Sequence, residues 1–166
     1  MKKDVNSYKF LKMDDKRRKI RERRRSEVLF GTYYNNLDSK GRVFLPAKFR
    51  EDLGQSIVLV KTSEKCLSLY SESKWDEFCR KIFENGEISM ANVIRKLSRD
   101  ASRLEPDAQG RIIIPMRLRE QMKLEGEISF VGMVSRVEIW KEEGLSEATD
   151  GITSDMVMQK LAEMGM

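Results

Sequence analysis

A 16-residue pattern occurs twice in this chain, DSKGRVFLPAKFREDL at Asp38–Leu53 and DAQGRIIIPMRLREQM at Asp107–Met122, with six of the 16 positions identical at a constant offset of 69 residues. Like-for-like exchanges fill several others: Val43/Ile112, Leu45/Ile114, Lys48/Arg117 and Phe49/Leu118. The correspondence continues, with a small length change, through Ile57–Val60 against Ile128–Val131 and Leu67–Tyr70 against Val137–Trp140. A duplication of this kind restricts the fold to two copies of one supersecondary unit. A unit of about 40 residues encloses too little interior to be stable alone. The two copies are therefore expected to bury their apolar strands against each other in one pseudo-two-fold, β-barrel-like body.

Each copy reads the same way. Leu29–Tyr34 and Ala101–Glu105 predict first strands, and a tight turn leads to Val43-Phe44-Leu45 or Ile112-Ile113-Ile114. These second strands are apolar at every position and are expected to be covered on both faces. Pro46 and Pro115 lack a donor, stop the ladder and suit the first turn of short helices at Ala47–Leu53 and Met116–Met122. Between the copies, Ser73–Glu84 predicts a helix with Ser73 as N-cap and Trp75, Phe78, Ile82 and Phe83 as a buried stripe, and Ile88–Leu97 predicts a second. Residues 153–164 predict a closing helix, capped by Thr153 or Ser154, with Met156, Val157, Leu161 and Met164 on its apolar face.

The expected class is α+β, mainly β. Its expected organisation is a basic, disordered extension (1–27), a first repeat (28–75), a helical connector (76–98), a second repeat (99–145) and a C-terminal helix (146–166).

The net charge of +5 suggests a polyanionic partner, but its distribution weakens the inference. Residues 1–26 hold 12 Lys/Arg and 4 Asp/Glu, a net of +8, which leaves −3 for residues 27–166. That basic segment reads either as a phosphate-grasping arm or as a solvated tail or misassigned start. The chain has no histidine, which removes His-dependent triads, His-containing zinc sites and the commonest general base. No nucleophile has an activating partner in sequence, so no catalytic residue, metal, cofactor or small-molecule substrate is expected. No apolar run reaches the roughly 18–20 residues of a membrane span. A cytoplasmic protein is expected, with Cys66 and Cys79 kept as thiols.

The chemistry concentrates in the duplicated Asp-x-x-Gly-Arg turn. Asp38 and Asp107 can accept hydrogen bonds from the amides that follow, and Gly41 and Gly110 can take positive φ at low cost. Arg42 and Arg111 then start the second strand on a rigid base, and a pre-positioned guanidinium can grip phosphate or a guanine edge in bidentate fashion. The alternative is that each arginine pairs with its own turn aspartate and merely closes the turn. Lys40 adds a cation to the first turn. Gln109 takes that place in the second and can hydrogen-bond a base or phosphate.

LFGTYYNNLDSKGRVFLPAKFR (Leu29–Arg50), DAQGRIIIPMRLRE (Asp107–Glu120) and VGMVSRVEIW (Val131–Trp140) resemble the MraZ family across residues 28–166. The resemblance implies tandem SpoVT/AbrB-type swapped-hairpin repeats. It also implies a ring-shaped homo-oligomer, nucleoid-associated, that binds double-stranded DNA at short repeated promoter boxes, usually as a repressor of the division and cell-wall gene cluster. Carried over by position, it makes Lys40 and Arg42, with Arg111 in the second copy, the DNA-contacting set, to which the turn reading adds Gln109. Asp38, Gly41, Asp107 and Gly110 form the turns, and Lys48, Arg50, Arg117 and Arg119 match less diagnostic positions. Family members begin with a Met just before a Phe-x-Gly that corresponds here to Leu29-Phe30-Gly31, so the native chain is expected to start near Val28 or Leu29. A protein-interaction scaffold with structural arginines is the alternative from another class.

Overall fold

The computed structural model describes residues 28–63, 65–84 and 88–166. Expectations for the basic segment 1–27 lie outside them. The first repeat runs β1 (Thr32–Leu37), β2 (Arg42–Phe44), α1 (Ala47–Leu53), β3 (Ile57–Lys61) and β4 (Cys66–Ser71). Helices α2 (Glu72–Glu84) and α3 (Ile88–Asp100) follow. The second repeat runs β5 (Ser102–Leu104), β6 (Arg111–Ile113), α4 (Met116–Met122), β7 (Gly126–Met133) and β8 (Arg136–Trp140), and α5 (Glu142–Thr149) and α6 (Ser154–Glu163) close the chain. This is an α+β fold with antiparallel sheets and six helices among the described residues.

Strand pairing interleaves the repeats. The six-stranded sheet has the order β1-β7-β8-β4-β3-β5, and β2 pairs with β6 in a separate two-stranded ribbon. Each repeat thus places its first strand on the other repeat's sheet: Asn35 faces Ile128, and Leu104 faces Ile57. Equivalent residues meet at two places, Val43 opposite Ile112 and Ser68 opposite Glu138. The register is therefore symmetric about those two pairs.

The core lies between sheet, ribbon and the two short helices. Val43, Leu45, Ile112 and Ile114 point in from the ribbon and its ends, Phe49 and Leu118 from α1 and α4, and Ile57, Leu69, Phe130 and Ile139 from the sheet. Strands β3 and β4 are buried on both faces because α2 and α3 pack on the far side. There Tyr70 is stacked with Phe78 and tilted against Trp75, with ring centroids 5.9 and 5.8 Å apart.

Several expectations need correction. The first strand begins at Thr32 because Gly31, at φ +97°, breaks the chain direction; Leu29 instead makes an isolated bridge to Val134. The second strands are not covered on both faces. A two-stranded ribbon lies on the core with one side only, so alternate residues face outward, and Phe44 and Ile113 are 52% and 58% exposed. Ser73 is not the cap of α2: the helix starts one residue sooner, and the Ser71 hydroxyl accepts from the Lys74 amide at 3.3 Å. Phe83 is exposed, whereas Ile82 on the neighbouring arc is buried.

The segment 146–166 is not one helix. The end of α5 runs into a turn at Gly151 (φ +79°) before α6, whose Thr153 hydroxyl accepts from the Met156 amide. Of the apolar face expected there, Met156, Val157 and Met164 are exposed.

Candidate nucleic-acid interface

Both turns close by one hydrogen-bond scheme. In the first, Asp38 Oδ1 accepts from the amides of Lys40 (2.9 Å) and Arg42 (2.8 Å), while Oδ2 accepts from Arg42 Nε at 2.7 Å. In the second, Asp107 Oδ1 accepts from Gln109 and Arg111 amides, both at 2.9 Å, and Oδ2 from Arg111 Nε at 2.8 Å. Backbone bonds run from Gly41 to Asp38 and from Gly110 to Asp107, with the glycines at φ +81° and +79°. One carboxylate oxygen therefore shapes the loop and the other holds a guanidinium by its Nε edge. Pairing of each arginine with its own aspartate is what the structure contains. It also fixes where the guanidinium points.

The ribbon brings the two turns together. Cross-strand register sets Arg42 opposite Ile113 and Phe44 opposite Arg111. Strand alternation puts these four side chains on the outer face, away from buried Val43 and Ile112. Arg111 Cζ lies 6.0 Å from the Phe44 ring centroid. Asn35 Nδ2 donates to the Phe44 carbonyl at 3.0 Å and ties β1 to the ribbon. Lys40 and Gln109 are exposed in the two turns. Phe44 and Ile113 are members of this face that sequence reasoning missed. Their signal is period-two alternation within an all-apolar run, legible only once the strands are known to pair as a one-sided ribbon.

The less diagnostic cations divide. Lys48 Nζ lies 3.8 Å from the Phe30 ring centroid, and Arg117 pairs with Asp100 of α3 at 2.7 Å. Both are engaged within the fold. Arg50 and Arg119 lie against the turn glycines. Among the described residues no cluster of three or more His, Cys, Asp or Glu is placed to hold a metal, and no helix is long and apolar enough to cross a membrane. Cys66 and Cys79 are thiols, and burial pushes both pKa values up.

The turn carboxyls sit below the usual carboxylate range, held there first by the Arg42 or Arg111 backbone amide and further by that arginine's side chain. A depressed folded-state pKa contributes stability that is present above the unfolded value and lost as pH falls through the folded one. The turns are thus expected to keep their form from pH 8 to about pH 5 and to unlatch only below about pH 4. In NMR titrations the Nε–H resonances of Arg42 and Arg111 should stay put until that range. Movement near pH 6 to 7 would contradict the assignment, as the chain has no histidine to titrate there.

These observations define a two-repeat α+β protein whose repeats interleave strands and jointly present an arginine-bearing ribbon. A family model described as MraZ protein matches residues 28–93 and again residues 97–164. A relative from Caldicellulosiruptor saccharolyticus, named transcriptional regulator MraZ, is 37% identical over 144 residues, covering 84% of this chain and 100% of the relative. Relatives of the same name from Alkaliphilus oremlandii (38% over 148 residues; 84% of this chain, 100% of the relative) and Cutibacterium acnes (39% over 142 residues; 82% and 99%) are similar to it over the same extent. The chain belongs to the MraZ family.

Proposed function

We propose that this chain regulates transcription, as its relatives are named for doing, and that it does so by sequence-specific DNA binding. It acts from the cytoplasm and nucleoid as a ring-shaped homo-oligomer on repeated promoter boxes, and its targets include the division and cell-wall gene cluster, which it represses. The observation that carries the reading is the outer face of the β2–β6 ribbon. A two-stranded ribbon fits the major groove, where guanidinium groups read guanine edges and apolar groups meet thymine methyls. Arg42, Phe44, Arg111 and Ile113 provide both chemistries on one face. Lys40 and Gln109 flank it for phosphate or base contacts.

In the same reading the interleaved strands are a swapped-hairpin pair closing toward a barrel. Residues 28–75 and 99–145 act as the two SpoVT/AbrB-like repeats, joined by the 76–98 connector, with 1–27 and 146–166 as extensions. A single ribbon binds weakly. A ring places several ribbons on adjacent boxes and raises the effective concentration of each successive contact.

The salt dependence of a repeat-bearing duplex tests this. With the two arginines on base edges, each subunit that neutralises one phosphate with Lys40 adds about −0.9 to the log–log slope, so with three engaged subunits binding weakens about 40-fold between 50 and 200 mM salt. The scaffold reading, favoured by exposed Met156 and Val157 on α6, predicts no salt-sensitive DNA complex.

A further inference from the structure

Arg50 on α1 and Arg119 on α4 occupy the same position in the two repeats, and each lies against the turn glycine of the other repeat. A Cβ built on Gly41 would stand 2.6 Å from Arg119 Nε and 2.8 Å from both Arg119 Cζ and the Ile114 carbonyl oxygen; a Cβ on Gly110 would collide with Arg50 Nη1. The glycines are therefore needed twice over, for their positive φ and for the approach of a guanidinium from across the fold.

The backbone repeats the crossing. Ile114 N–H donates to the Gly41 carbonyl at 2.8 Å, and Leu45 N–H donates to the Gly110 carbonyl at 3.0 Å. Arg119 Nε donates to the Ile114 carbonyl at 3.0 Å, and its Nη1 comes within 3.5 Å of the Ser39 carbonyl.

The geometry points to Arg119 and Arg50 as crossed positioning residues: Arg119 sets the Asp38–Arg42 turn, and Arg50 sets the Asp107–Arg111 turn. Each turn is rigid within itself through its aspartate, but those bonds do not fix how the whole loop sits on the body. A flat guanidinium seated on the glycine supplies that fixing, and that of Arg119 also spans from the Ile114 carbonyl of its own repeat to the Ser39 carbonyl of the loop. A lysine ammonium has the charge without the plate. The site so held is the one proposed above to read DNA, so the binding consequence rests on that reading. The crossed support of the turns does not.

Hydrogen exchange on the DNA-free chain tests the support directly, read by mass spectrometry on peptides covering each turn. Arg119→Ala is expected to speed exchange of the Asp38–Arg42 turn roughly 3- to 10-fold and to leave the Asp107–Arg111 turn at its wild-type rate; Arg50→Ala should do the reverse. Arg119→Lys, a milder change, should show the same one-sided pattern at smaller amplitude. Acceleration confined to the variant's own repeat, or equal in both turns, would overturn the proposal.

A double-mutant cycle then uses a duplex recovered with the wild-type chain from random DNA. The loss caused by Arg119→Ala should shrink in an Arg42→Ala background, to the share carried by Lys40 on the same turn, and persist in full in an Arg111→Ala background. Equal losses in both backgrounds make Arg119 an independent DNA contact and overturn its positioning role. A wild-type chain that recovers no duplex removes the DNA reading alone, and the exchange pattern still decides the crossing.

Discussion

Arg42→Ala is expected to weaken binding to a repeat-bearing duplex by about 10- to 100-fold per engaged subunit, while oligomer size and unfolding midpoint stay near wild type. The two halves of this expectation have separate causes. The Arg42–Asp38 pair is more than a third exposed on both sides, and exposed pairs add little to stability, so removing the guanidinium costs the fold little. On DNA the same group is held by its Nε edge and offers its remaining donors outward. Losses also multiply when several ribbons grip neighbouring boxes. Arg111→Ala should cost less, because Lys40 has no cationic counterpart at Gln109. Unchanged affinity of Arg42→Ala in a gel-shift titration would remove the ribbon from the DNA-binding surface.

Arg136→Ala is expected to destabilise the chain by about 2–4 kcal/mol, the partial exposure of Arg136 placing it toward the lower end for a broken buried pair. At 166 residues this is a fall of roughly 5–12 °C in melting temperature. The Glu138 residue is 7% exposed at the middle of the sheet, where the two repeats join. Arg136 Nε and Nη2 both donate to its Oε1, at 3.0 and 2.7 Å, and Trp140 Nε1 donates to Oε2 at 3.1 Å. Without Arg136 the carboxylate stays buried with one indole partner. Glu138→Gln in the same chain removes the stranded charge and should restore about half of the loss. A calorimetric shift below about 2 °C for the single variant would mean that solvent already carries Glu138.

The duplication made much of the fold legible. Both short helices occupy the residues expected, Ala47–Leu53 and Met116–Met122, because a proline opens each and the same apolar pair faces the core. In both turns the aspartate accepts from the loop amides and the glycine takes a positive φ. What stayed hidden depends on partners distant in the chain. Phe44 and Ile113 look like core residues until β2 is seen to pair with β6 and leave one face open. Arg50 and Arg119 look like ordinary surface cations until the other repeat's glycine is placed beneath them. Phe83 matches the helical period as well as Ile82 does, and only the position of the sheet selects between them. The closing helix expected at 153–164 is α6, Ser154–Glu163 with Thr153 as its cap, because the hydroxyl that accepts from the Met156 amide is local in sequence.

Interleaved strands also impose an order in time. Strand β1 finds its partner only when Gly126–Met133 has been made, since Thr32 pairs with Val131. At ordinary translation rates those roughly 100 intervening residues take on the order of 5–20 s. During that interval the β3–β4 hairpin can form, but β1 remains an unpaired strand carrying Tyr33 and Tyr34, the kind of edge that captures other chains. A ribosome stalled before residue 126 therefore holds no finished first repeat. The two halves mature together or not at all, and a nascent chain stays vulnerable to aggregation until its last sheet strands have emerged.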